Sequence, residues 1–186
     1  ILTEFLPISS SLFLWSLKME DGFIFHFFSG ILFLIIFASD ILQILINLKR
    51  HQKTIMMYFL SLVPSIGVGL WTDVYKKKIF SFLSYEKILF NLLGGILLYI
   101  AINSSRKTST SPQDISSLDG FLMGCFTALN GIFPGLSRLG MSLLYLSLRG
   151  YSLPLSYEVS LISSIPVLIG KPLLMLILGP GHRENF

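Results

Sequence analysis

The chain has 186 residues, 53% of them hydrophobic and only 13% charged, with 16 Phe and a formal net charge of +4. A water-soluble domain carries about 25% charged residues, so this chain lacks the polar side chains to cover a core, which excludes an ordinary soluble domain and points to lipid as the solvent. Its basic residues are gathered at Lys49, Arg50 and Lys53, at Lys76 to Lys78, and at Arg106 and Lys107; these read as cytoplasmic loops obeying the positive-inside rule, not as a nucleic-acid surface.

The chain opens at Ile1 inside an apolar run, and Ile1 to Leu17 is too broken for a clear span. It has no basic n-region and apolar stretches recur along the whole chain, so it does not read as a removable signal peptide. Within it, Glu4-Phe5-Leu6-Pro7-Ile8-Ser9-Ser10-Ser11 sets a carboxylate, a proline and three serines into apolar surroundings. Gly22 to Leu48 follows, close to the roughly 20 apolar residues a spanning helix needs; Asp40 marks where that span ends, and His26 reads as a packed or interfacial residue. Ile55 to Trp71 and Ile88 to Ile102 are two further spans. If all three cross, the Lys76 cluster lies opposite the other two, and charge alone leaves the topology open.

Asn103 to Ser117, rich in Ser and Thr, is the clearest loop. It divides a single membrane domain, 1–186, into a first repeat (1–102) and a second repeat (118–186). Phe121 to Phe133 is short for a span. Gly131-Ile132-Phe133-Pro134-Gly135-Leu136-Ser137-Arg138-Leu139-Gly140 then repeats the theme of the N-terminal motif, a proline and a serine-bearing turn inside apolar sequence. Val159 to Leu178 is a last apolar stretch, with a kink expected at Ser163, Ser164 and Pro166 and Lys171 snorkelling towards headgroups. The polar tail Gly179 to Phe186 and the abrupt start read as a fragment or a degraded frame of something longer. Cys125, the single cysteine, permits no internal disulfide and reads as a packing residue.

Two residues call for chemistry. An ionisable group at membrane depth costs several kcal/mol, about 3 on insertion scales, and Glu4 has no basic neighbour before Lys18. Arg138 has no acidic residue near it between Asp119 and Glu158. An arginine beside a hydroxyl, in a Gly-bearing turn that opens a helix, suits phosphate: the guanidinium fork matches two oxygens and helix N–H groups add positive potential. Ser9, Ser10 and Ser11 can donate to phosphate or, with a base, act as a nucleophile; each can equally cap a helix or bond the backbone. Paired broken segments in two halves point to inverted repeats around a midplane site.

At these residues the chain resembles the undecaprenyl-diphosphatases of bacterial membranes, the bacitracin-resistance type. Thr3 to Ser10 looks like the first family signature and Pro134-Gly135-Leu136-Ser137-Arg138 with Gly140 like the second. Val63-Pro64 with Gly67, Gly94 to Leu98, and Ser160 to Pro166 support them. The resemblance implies an all-α integral membrane fold, a polytopic helical bundle with two re-entrant helix-loop-helix segments (around 4–11 and 134–140) from inverted repeats, often a homodimer. It implies hydrolysis of undecaprenyl diphosphate in the bacterial plasma (inner) membrane, recycling the lipid carrier for peptidoglycan synthesis, with a divalent cation, Mg or Ca. Carried over, Glu4 helps hold the metal, Ser10 is the nucleophile, Arg138 clamps the diphosphate, and Ser9, Ser11, Gly135 and Ser137 bind or orient phosphate. The chain departs from the pattern in three places. A second Glu one turn before Glu4 would precede Ile1, Leu12-Phe13 stands where the family has Gly-His, and Leu139 replaces a Ser. Phe cannot carry a proton, so the resemblance supports a second reading: a catalytically impaired descendant that binds or translocates a polyprenyl phosphate.

Overall fold

Backbone groups in so apolar a chain must be satisfied internally, and helices do this segment by segment. The computed structural model describes residues 22–79, 87–105, 115–133 and 136–178. Among these residues the chain forms seven helices and no strand: α1 (Gly22–Ile36), α2 (Ala38–Ile46), α3 (Gln52–Ile79), α4 (Lys87–Ser105), α5 (Ser117–Ile132), α6 (Arg138–Leu148) and α7 (Leu153–Leu178).

Three expectations need adjusting. Gly22 to Leu48 is not one helix: α1 and α2 meet at 65°. Phe37, at the break, sits at φ −97°, ψ 17°, in the sparsely populated bridge region. Asp40 falls in the first turn of α2, where the helix dipole favours a carboxylate, so it opens a helix where the sequence suggested the end of one. The loop expected over 103–117 is shorter at both ends, because α4 runs on to Ser105 and α5 begins at Ser117. Apart from these three, the segment bearing Ser163, Ser164 and Pro166, where a kink is expected, lies inside α7, a helix that holds Pro166 and Pro172 within it. Ser163 and Ser164 donate back to the Ser160 and Leu161 carbonyls at 3.0 and 2.7 Å.

α6 is the centre of the bundle. Every residue from Leu139 to Ser147 is buried, with α4, α5 and α7 packed round it. On one side Leu139, Leu143 and Leu144 join Phe33 of α1, Leu98 of α4 and Leu161, Ile165 and Leu168 of α7. On the other, Tyr145 and Leu146 meet Met57 of α3, Met123 of α5 and Val159 of α7. A helix buried all round its circumference is an interior helix.

Helices α3 and α5 form a separate close seam. A Cβ on Gly120 would lie 2.5 Å from the Met57 carbonyl oxygen, and one on Gly124 would overlap the Ser61 carbonyl. One helical turn further on, Ser65 Oγ and Thr127 Oγ1 share a hydrogen bond of 2.9 Å, and Gly131 lies against Val68 and Thr72. Small residues at four-residue spacing let two backbones touch, the packing mode of helices in lipid. α1 packs on α7 differently, with Gly30 making room for the Leu168 and Ile169 side chains.

The bundle is apolar on its outer face as well as in its core. Hydroxyls lie inside, with Ser29, Ser61, Thr127, Ser142, Ser156 and Ser160 all buried. Large apolar side chains face out, among them Ile35 (67% exposed), Phe59 (62%), Leu89 (62%) and Tyr99 (69%). Leu153–Leu174 is long and apolar enough to cross a membrane, and the bent α1–α2 pair is a second such segment if counted as one span.

Candidate functional site

Helices α5 and α6 form an antiparallel hairpin, about 24 and 16 Å long at 1.5 Å per residue. Both fall short of the roughly 30 Å hydrocarbon core. The turn between them carries the arginine motif. α5 ends as Phe133 becomes extended (φ −108°, ψ 97°), its N–H bonding the Leu129 carbonyl. The Asn130 side-chain amide donates to the Leu136 carbonyl, and the Leu136 N–H reaches the Phe133 carbonyl at 3.3 Å. The turn is thus tied internally by one side chain and its own backbone. α4 braces it from outside: the Phe90 and Phe133 rings lie 5.0 Å apart, and Gly94 leaves room for the Leu136 side chain, 3.1 Å from where a Cβ would be.

α6 then starts on Ser137, an N-cap whose Oγ accepts the Gly140 N–H at 3.2 Å. The hydroxyl oxygen is used as an acceptor, which leaves its proton for donation. Arg138 is the first residue of α6 and half-buried. A cation at a helix N-terminus opposes the macrodipole by about 0.3–1 kcal/mol, so the arrangement concentrates positive potential, and an anion placed there meets both sources at once. Sequence reasoning read Ser137 only as a phosphate ligand. The structure adds the cap, in a geometry compatible with phosphate binding.

Of the residues singled out from sequence, Ser137 and Arg138 stand together at the tip of the hairpin. Glu4, Ser9, Ser10, Ser11, Phe13 and Gly135 lie outside the described residues. Among the described residues no three His, Cys, Asp or Glu side chains gather as a metal site.

The sequence reading passed over two features. Asn130 is one, a polar residue six positions before the carbonyl it holds. The other is Asp119, which is 2% exposed and lies at the opposite end of the hairpin. Its Oδ1 accepts from Tyr145 Oη at 2.7 Å and Arg149 Nε at 2.8 Å; its Oδ2 accepts from Tyr151 Oη and Ser116 Oγ, each at 2.7 Å. The available signal was Ser116-x-x-Asp119, a capping-box spacing: Asp119 N–H bonds Ser116 Oγ at 3.1 Å, and the Ser116 hydroxyl donates to the carboxylate.

Fold and site define an all-α protein that presents an arginine at the turn of a helical hairpin whose second helix is buried. The family model of the bacitracin resistance protein BacA matches the chain over residues 2–185, and the chain belongs to that family. An undecaprenyl-diphosphatase of Buchnera aphidicola subsp. Schizaphis graminum is 30% identical over 192 residues, covering 95% of this chain and 71% of the relative. One from Baumannia cicadellinicola is 31% identical, with 94% and 71% covered. One from Methanococcus vannielii is also 31% identical, with 93% and 73% covered.

Proposed function

We propose that the chain hydrolyses undecaprenyl diphosphate to undecaprenyl phosphate and phosphate, recycling the lipid carrier for peptidoglycan synthesis and thereby giving bacitracin resistance. The observation that carries this reading is Arg138 at the N-terminus of α6, beside the capping Ser137, in a chain of this family. Phosphoryl transfer asks mainly for positioning and for neutralisation of charge on the phosphate oxygens. Arg138 supplies a bidentate cation, Ser137 a hydroxyl proton, and the first N–H groups of α6 a positive potential. In this reading Ser10 is the nucleophile, Ser9, Ser11 and Gly135 orient the phosphates, and Glu4 holds a divalent cation, Mg or Ca. That ion would offset the charge of the diphosphate; binding and orientation fall to the chain's own residues.

The protein is, on this reading, a multi-pass protein of the bacterial plasma membrane. Inward hydroxyls and outward Ile, Phe and Leu support this, because lipid, unlike water, carries no penalty for exposed apolar surface. The α5–α6 hairpin supports a re-entrant segment in the second of two inverted repeats (1–102 and 118–186, joined by 103–117), within one membrane domain that pairs as a homodimer.

Phe13 favours a second reading, a descendant that binds or translocates polyprenyl phosphate without hydrolysing it. The two separate on phosphate release from undecaprenyl diphosphate by purified protein in detergent, with Mg or Ca and with Phe13→His in parallel. Release by the wild-type chain, raised about 10²-fold by the histidine as expected for a positioned acid–base group, supports the diphosphatase. Lipid binding without release in either form supports the descendant.

A further inference from the structure

A buried carboxylate is costly unless every lone pair is engaged, and Asp119 engages its two oxygens with four side-chain donors drawn from three places. Ser116 caps α5, Tyr145 belongs to the last two turns of α6, and Arg149 and Tyr151 follow α6. The chain turns back onto Asp119 through Gly150, at φ 84°. Gly150 N–H bonds Ser147 O and Tyr151 N–H bonds Leu146 O, each at 3.1 Å, a Schellman closure that requires the left-handed conformation glycine adopts freely. The whole C-terminus of α6 is therefore fastened to the N-terminus of α5.

Between these ends α6 is held by Leu, Met and Ser packing, which is non-directional and tolerates small slides and rotations. Directional side-chain bonds fasten both ends of the hairpin: Asn130 to Leu136 at the tip, and the Asp119 cluster at the base. Arg138 stands at the tip end of this rod, about 16 Å from Arg149 along the axis. We infer that Asp119, with Tyr145, Tyr151 and Arg149, is a positioning set for the reaction: it fixes the axial register of α6 and hence where the Arg138 guanidinium meets the diphosphate. This rests on the phosphatase reading for its turnover readout, but not for its binding readout.

The test is a double-mutant cycle on the full chain in detergent. Tyr151→Phe, Tyr145→Phe and Asp119→Asn are each combined with Arg138→Lys, with turnover, affinity for undecaprenyl diphosphate and melting temperature measured on folded protein. The tyrosine variants remove one oxygen each and keep the question open if Asp119→Asn does not fold. A displaced catalytic group costs up to about 10²-fold, so Tyr151→Phe is expected to lower kcat about tenfold with KM little changed. That loss should largely vanish in the Arg138→Lys background, as coupled sites require. Losses that multiply independently in the two backgrounds, or lowered melting temperature with unchanged kcat per folded molecule, would overturn the inference. If the wild-type chain binds the lipid without hydrolysing it, the phosphatase reading fails and the same cycle is scored on affinity: coupling to Arg138 supports the positioning set, and additivity overturns it. Absence of both binding and release overturns both.

Discussion

At the scale of single residues, function depends on how a cation is held at the start of α6. Ser137 has two roles that substitution separates. Ser137→Ala removes the cap and is expected to cost about 1 kcal/mol of stability, whereas Ser137→Gly costs only a few tenths. If the hydroxyl proton also serves phosphate, Ser137→Gly keeps the melting temperature and still weakens diphosphate binding, which parallel thermal and binding assays read directly. Asn130 has a purely structural task. Asn130→Ala leaves the Leu136 carbonyl without its side-chain donor and is expected to cost about 1–3 kcal/mol, seen as a lower melting temperature in detergent. Arg138 was legible in the sequence because a charge set in apolar surroundings is costly to keep there without an anion to bind, and Ser137 because it stands beside that charge. Asn130 and Asp119 were not, since each acts on a partner that only the closed hairpin brings near.

Among the helices, the proposed lipid surroundings would change which contacts matter. Burying a leucine from water is worth about 1.5–3 kcal/mol, but lipid tails are as apolar as leucine, so cohesion falls to close packing and hydrogen bonds. The α3–α5 seam shows both, in Gly120 and Gly124 against the α3 backbone and in the Ser65–Thr127 bond. Gly124→Leu should separate the two helices, with a loss of at least about 1–3 kcal/mol as for other overpacked cores. A melting temperature in detergent equal to that of the wild type would show that the seam does not hold the bundle. Helix positions were largely readable from apolar stretches, because length and composition decide them. The break at Phe37 was not: no Pro or Gly stands there, and the bend to 65° belongs to the tertiary arrangement. The depth of burial of α6 was also hidden, since an 11-residue helix holding Ser142, Tyr145 and Ser147 does not look like the middle of a protein until its neighbours surround it.

For the whole molecule, an apolar outer face and the arginine-tipped hairpin lead to one claim: a lipid-embedded enzyme that removes phosphate from a polyprenyl diphosphate. The lipid-embedded part predicts that the expressed chain sediments with membranes and stays there through alkaline extraction; recovery in the soluble fraction as folded protein would contradict it. The enzymatic part is tested most directly by phosphate release from undecaprenyl diphosphate in detergent, with Mg or Ca, comparing wild type and Arg138→Ala. Metal-dependent release by the wild type is expected, reduced about 10²- to 10³-fold in the variant, the scale of losing one group that stabilises transition-state charge. Equal release by both proteins, or no release from folded wild-type protein that binds the lipid, would contradict it.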